Sequence, residues 1–204
     1  MIRFWMGYNP LLDKLCGEPY TGNMDISETI AFAVKAHAGQ ARKNSGCPYI
    51  VHPMAVLAEI ANWGITNVVT WETALCHDIL EDCAGMEYAN VAEVIGTEAA
   101  DAVVELSFFR KVGEDTKAAQ KERYLASFSE KSIHALVCKV ADRICNTRDF
   151  IEAGDPYAAK YWGKASGLLD AMKIRGEEIG EFFKDEKVFP RMEDSTNRIS
   201  MMML

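Results

Sequence analysis

An all-α fold in a single domain is the expectation, on three grounds. Apolar residues recur at helical spacing over most of the 204 residues. No strand pair, hairpin, repeat or low-complexity run interrupts them. Hydrophobic residues make up 49% and charged residues 25%, which suits one packed core and excludes wholesale disorder. Lys and Arg number 22 against 30 Asp and Glu, a formal charge of -8. That balance argues against a nucleic-acid partner, which would require surplus cations to displace counterions. It leaves room for a small anionic substrate, because a few cations or a metal can set the local potential.

Taken in order, residues 1–24 carry Gly7, Pro10, Gly17, Pro19 and Gly22 and read as an irregular lead-in. Asp25 then reads as an N-cap with Glu28 three residues on. Ile26, Ile30, Ala33, Val34 and His37 follow at helix spacing. The loop RKNSGCPYIV comes next. His52-Pro53 opens a second helix, with Met54, Leu57, Ile60 and Ala61 as its apolar stripe and Gly64 as its end. A third helix is predicted from Asn67 to Asp82, and a fourth from Glu87 to Gly96, restarting at Thr97 through Leu106. KVGEDTKAA is polar and loop-like. Helices follow from Ala118 to Phe128 and from Ser132 to Phe150. Asp155-Pro156 caps a final helical stretch bearing Tyr161, Trp162, Leu168, Leu169 and Met172. The folded domain is therefore expected over residues 25–183, with 184–204 a polar, frayed tail.

None of the six cysteines forms a C-x-x-C pair, so a zinc ribbon or thioredoxin-like motif is not supported. Cys76/Cys83 and Cys138/Cys145 are each seven apart and read as buried thiols on common helix faces. The N-terminus lacks a basic-then-apolar signal layout, and no stretch approaches the ~20 apolar residues of a membrane helix. A reducing cytoplasm without a membrane partner is the expectation. Nothing in the pattern selects an oligomeric state.

The chemistry-bearing segment is TWETALCHDILEDC. Continued as one helix, about 100° per residue gathers His77, Asp78, Glu81 and Asp82 into an arc of about 140°. Leu75, Cys76, Ile79 and Leu80 take the opposite arc and face the core. Crowded carboxylates repel unless solvated, protonated or bound to a cation. A solvated acidic face is the ordinary outcome, but an adjacent His and Asp can both coordinate one divalent ion if other helices complete the shell. His52, beside Pro53, reads by itself as a capping or core histidine. Asp142 lies in an apolar helix and needs a partner if buried, for which Arg143 and Arg148 are the ordinary choices. Asn146, one turn on, shares its face. Tyr49 reads equally well as core or as part of the loop site.

Three blocks in order resemble the HD-domain hydrolases of the RelA/SpoT type, which remove the 3′-pyrophosphate of (p)ppGpp. HAGQARKNSGCPYIVHP (residues 37–53) is similar to H-x-x-Q-x-R-K…G-x-P-Y-I-x-H-P. LCHDILEDC (75–83) is similar to L-x-H-D-x-x-E-D-T, and KVADRICNTR (139–148) to K-x-A-D-R-x-x-N-x-R. The resemblance covers residues 25–150 and implies an HD-type helical bundle. It also implies that His52, His77, Asp78 and Asp142 hold one divalent metal, usually Mn²⁺, and that Glu81 and Asp82 position and activate the attacking water. Arg42 and Lys43 match the basic pair at the nucleotide end, and Asn146 a nucleotide-contacting amide. His37 matches a histidine that is not a ligand.

The implied roles are chemically coherent. Hydrolysis of a pyrophosphate ester needs nucleophilic water near neutral pH and stabilised charge on phosphorus oxygens, and a metal supplies both. Two neutral imidazoles and two carboxylates leave a dication formally uncharged. Cys83 stands where the family often has Thr, Cys145 where it has His, Asn44 where it has Ser or Asp, and Asp149 where it commonly has Thr. The metal and acid set is complete, so hydrolysis is the firmer expectation. Guanine preference is the softer one, with ppApp or a 2′-phosphorylated dinucleotide such as NADPH as the alternative substrate. About 54 residues follow Phe150, which leads us to expect a stand-alone hydrolase without synthetase activity.

Overall fold

The computed structural model describes residues 26–113 and 115–203, and is all-α. Asp25 and the lead-in expected over 1–24 lie outside these residues. The helices are α1 (Ser27–Ala36), α2 (Val51–Asn62), α3 (Val68–Cys76), α4 (Ile79–Asp82), α5 (Tyr88–Leu106) and α6 (Lys117–Ala126). They continue as α7 (Ile133–Glu152), α8 (Tyr157–Gly163), α9 (Ser166–Ile174), α10 (Gly176–Phe183) and α11 (Val188–Met201). Three starts have a side-chain cap as local cause. Asn67, Thr116 and Ser132 each accept a backbone N–H through the side chain, from Thr70, Ala119 and Ala135. The predicted break at Gly96 is a kink inside α5, where φ is 76° and ψ 167°, backbone that glycine adopts without a Cβ penalty.

Helix α7 is the spine. It packs against α2, α3, α5, α8, α9 and α11, and most of its side chains are buried. That is why its apolar positions run nearly all round the helix rather than along one stripe. One core cluster gathers Val56, Ile60, Leu136, Ile144, Leu168 and Met172 around α7. A second gathers Leu75, Ile79, Val91, Ala99 and Val103 between α1, α3 and α5. The two sandwich α3, so residues at its C-terminal end are held from both sides.

Two expectations are corrected. The stretch after Phe183 is not a frayed tail but helix α11, docked through buried Val188, Met192 and Ile199. Ser195 Oγ accepts the indole N–H of Trp63 at 3.0 Å, and Ser200 Oγ that of Trp162 at 3.1 Å. Its polar composition hid a narrow apolar stripe. The final helical stretch between Pro156 and Phe183 is likewise three separate helices, α8 to α10.

Candidate metal centre

Helix α3 stops at Cys76 instead of continuing to Asp82. The ring Nδ1–H of His77 donates to the Ala74 carbonyl at 2.7 Å. That is the carbonyl the Asp78 amide would use in an unbroken helix. The chain resumes as α4, with the Asp78 carbonyl accepting from the Asp82 N–H at 2.8 Å. At the joint the His77 side chain is buried, 2% exposed, although His77 and Asp78 both keep right-handed helical backbone. The solvent-side arc drawn from a continuous helix therefore does not hold for this residue. A carbonyl only accepts, so His77 Nδ1 carries the proton and Nε2 presents its lone pair to the cluster.

His52 enters from the first turn of α2, and Asp142 from the middle of α7. His52 Nε2 lies 3.1 Å from Asp142 Oδ1 and 3.8 Å from Asp78 Oδ2. His77 Nε2 lies 3.0 Å from Asp78 Oδ2 and 3.8 Å from Asp142 Oδ1. Nitrogen and oxygen ligands about 2.0–2.2 Å from one cation stand about 3.0–3.5 Å apart along the edges of its coordination shell. Two of the four separations fall in that range and the two at 3.8 Å lie just beyond it; His52, His77 and Asp78 present ligand atoms all within 4.8 Å of one another, and Asp142 approaches both imidazoles. His77 Nε2 is buried with no hydrogen-bond partner. Such an atom is costly without a ligand. The donor set of two imidazoles and two carboxylates thus fits a divalent cation of the borderline class.

The electrostatics agree. Burial disfavours charge on His77, yet Asp78 and Asp142 outweigh it and push its pKa up to about 9. Burial likewise opposes the charged forms of Asp78 and Asp142, but His77 and Lys139 respectively lead the neighbours that hold both carboxyls below the usual range. In the absence of a metal, the cluster calls for positive charge.

Asp142 does have an ion-pair partner, though not either arginine. Lys139 Nζ lies 2.9 Å from Asp142 Oδ2, one turn earlier on α7. Arg143 instead donates to the Tyr161 carbonyl at 3.2 Å, and Arg148 reaches Glu59 at 3.2 Å. Neighbours at i+1 and i+6 point away from a helical residue, whereas i−3 stacks beside it. Asn146 also donates to Asp142 Oδ1. Tyr49 is the residue that sequence reasoning undervalued. Its hydroxyl donates to Asp78 Oδ2 at 2.6 Å and contacts Asp82 Oδ2 at 3.2 Å, while its ring stacks on His37 at 4.7 Å. His37 itself contacts Gln40 and Cys83 and stays outside the cluster.

Glu81 and Asp82 sit at the rim on α4. Glu81 Oε2 accepts the Phe108 amide at 3.1 Å. Desolvation at the cavity wall raises its pKa; Asp78 and Asp82 push the same way, against Phe108 and Lys139. Beyond Asp82 opens a cavity of about 550 Å³ lined by Arg42, Lys43, Tyr49, Asn146 and Phe150. The loop carrying Arg42 and Lys43 closes through an Ala41–Pro48 bridge. Arg42 is not free: it donates to Asp149 at 2.5 and 3.1 Å and to Asn146 Oδ1 at 2.6 Å. Lys43 is exposed. On the other side, Glu81 and Lys139 line a second cavity of about 420 Å³ with Lys121, Arg143, Tyr161 and Lys164.

The HD domain family matches residues 29–162, which include every member of the cluster. The chain belongs to the HD domain family. Among curated relatives, a guanosine-3′,5′-bis(diphosphate) 3′-pyrophosphohydrolase of Spiroplasma citri is 32% identical over 127 residues, covering 61% of this chain and 17% of the relative. A GTP pyrophosphokinase of Myxococcus xanthus is 32% identical over 129 residues, 60% of this chain and 17% of the relative. The bifunctional (p)ppGpp synthase/hydrolase SpoT of Escherichia coli is 34% identical over 126 residues, 60% of this chain and 18% of the relative. This HD domain thus spans under a fifth of the length of these relatives. A solved structure of a metazoan ortholog of SpoT, described as hydrolysing ppGpp, superposes with a TM-score of 0.67 at 20% identity, covering 89% of this chain and 98% of that one. That likeness is one of fold. No helix among the described residues is long and apolar enough to cross a membrane.

Proposed function

We propose that this HD domain is a Mn²⁺-dependent pyrophosphohydrolase that removes the 3′-pyrophosphate of guanosine alarmones in the cytoplasm. The observation that carries the reading is that His52 and His77 each lie 3.0–3.8 Å from an oxygen of Asp78 and of Asp142, with Glu81 and Asp82 at the rim. The names of the relatives supply the substrate class, and the free thiols of Cys76, Cys83, Cys138 and Cys145 suit a reducing compartment.

His52, His77, Asp78 and Asp142 are the ligands in this reading. A dication held there would supply the polarisation of a phosphate oxygen and the acidified water that attack near neutral pH requires. Tyr49 fixes the Asp78 carboxylate and limits its rotation. Glu81, with its raised pKa, accepts the proton of the attacking water, and Asp82 orients that water. The water oxygen bonds to the phosphorus attached to the ribose 3′-oxygen. That P–O bond breaks, the electron pair stays on the 3′-oxygen, and the proton returns to it. The products are GDP or GTP and pyrophosphate. Asn146, Arg42 and Lys43 hold the nucleoside end in the larger cavity.

Incubating the manganese-loaded protein with ppGpp and resolving the nucleotides tests this directly. GDP and pyrophosphate in equal amounts are expected; intact ppGpp at micromolar enzyme contradicts it. One observation favours a second reading. Asp149 ties down the guanidinium of Arg42, so the nucleotide end presents less free charge than the motif suggests. The alternative is the same metal-assisted hydrolysis of a phosphate ester on ppApp or on the 2′-phosphate of NADPH, and kcat/KM ranked across a nucleotide panel separates the readings.

A further inference from the structure

The resemblance gives Asn146 to the nucleotide, but its hydrogen bonds run from the Arg42 loop to the His/Asp cluster. Asp142, Asn146 and Asp149 stand at i, i+4 and i+7 on α7 and share one face. Arg42 reaches that face from its loop. Its Nε and Nη2 both donate to Asp149 Oδ2, at 3.1 and 2.5 Å, and Nη2 also donates to Asn146 Oδ1 at 2.6 Å. A guanidinium only donates, so the amide oxygen of Asn146 must be the atom that meets Arg42. The amide nitrogen is then the atom that meets Asp142, and it donates to Oδ1. An ionised carboxylate only accepts, so the chain Asp149–Arg42–Asn146–Asp142 has one consistent sense of donation.

Asp142 Oδ1 is the oxygen that approaches both imidazoles, at 3.1 and 3.8 Å. The other oxygen, Oδ2, meets Lys139 at 2.9 Å. With Lys139 on one oxygen and Asn146 on the other, this buried carboxylate cannot rotate without breaking a charge-assisted bond. At the far end, Asp149 fixes the plane of a guanidinium whose side chain is 15% exposed. We propose that Asn146 and Arg42 are positioning residues for Oδ1 of Asp142, so that the loop at the nucleotide end tunes metal affinity before any nucleotide binds. The inference rests on the proposed ligand role of Asp142. It is compatible with a nucleotide contact, because the amide has a second N–H and a second lone pair.

Calorimetric titration of manganese alone into the metal-free protein is the test. Asn146→Leu changes neither net charge nor, to any large extent, size. It should weaken manganese binding about 10- to 100-fold, the range for losing a hydrogen-bond partner of a metal ligand. Arg42→Met, on a loop, gives a test of sign that does not depend on how α7 tolerates Leu. By Coulomb's law alone, removing a cation near a dication site strengthens metal binding. The positioning role requires the opposite, a loss of about threefold or more, because Asn146 Oδ1 loses its charged donor. An amide that served only the nucleotide would raise KM for ppGpp and leave manganese affinity within about twofold of wild type. That result in Asn146→Leu, or equal or tighter manganese binding in Arg42→Met, overturns the inference. A wild type that binds no manganese overturns the ligand set and the inference with it. A wild type that binds manganese but leaves ppGpp intact overturns only the proposed hydrolysis, and the affinity comparison still decides the role of Asn146 and Arg42.

Discussion

His77 hangs from the Ala74 carbonyl by one ring nitrogen and offers the other to the cluster, so a single residue sets both its own orientation and the end of α3. Replacing it with Ala removes one of the four proposed ligands. Metal and turnover should be lost together. Glu81→Gln should instead keep the metal and lower kcat about 10²- to 10⁴-fold, the range of a positioned general base. Elemental analysis beside steady-state kinetics separates the two outcomes; equal metal loss in both variants would remove the distinction between ligand and base. The pH dependence follows from the same ring. Its pKa of about 9 without a metal means that a cation must displace a proton below that pH. Manganese affinity should rise from about pH 6.5 toward 9 and then flatten, with proton release visible by calorimetry in buffers of different ionisation enthalpy. A flat affinity across that window contradicts it. At this scale the proposed ligands His77, Asp78 and Asp142 stood out in the motifs, because His-Asp adjacency and a lone Asp in an apolar helix are both unusual, whereas His52 joined them only through the family resemblance. Lys139 was not, since its role depends on which neighbour stacks beside Asp142 on α7.

Among the elements, the joint between α3 and α4 matters most. A uniform helical wheel puts His77 on a wet face; α2 and α7, packed against α3, cover that face with His52 and Asp142, and no periodicity encodes that packing. The loop carrying Arg42 shows a different shortfall. Its pairing with Asp149 spans 107 residues of sequence, so nothing local announces it. The end of α2 is better determined by sequence. Gly64 has φ +87°, and a Cβ there would lie 2.4 Å from Arg191 Nη1, which donates to the Trp63 carbonyl at 2.8 Å. Gly64→Ala should cost about 1–3 kcal/mol through backbone strain and the displaced arginine. Urea unfolding measures it, and a change under about 0.5 kcal/mol, typical of an unconstrained surface site, would show that the turn tolerates a side chain.

For the whole molecule, two clusters joined by α3 and α5 explain why residues from α2, α7 and the end of α3 converge with so little slack. The all-α class was legible throughout, because helical spacing survives in every segment except the last. Helix α11 was missed because its buried face mixes Val188, Met192 and Ile199 with Ser195 and Ser200, whose hydroxyls serve buried indoles. Ile199→Ala should therefore destabilise the chain by about 2–5 kcal/mol, as core truncations do. A shift near zero in chemical denaturation would mean that the segment is not docked.

The metal content of the reconstituted protein, measured in the same preparation as ppGpp turnover, bears most directly on the claim that four side chains from three parts of the chain grip a single dication. One equivalent of manganese per chain, lost together with turnover in Asp142→Ala, is the expected result. A wild type that emerges from reconstitution without metal, or that retains it undiminished in Asp142→Ala, contradicts the claim.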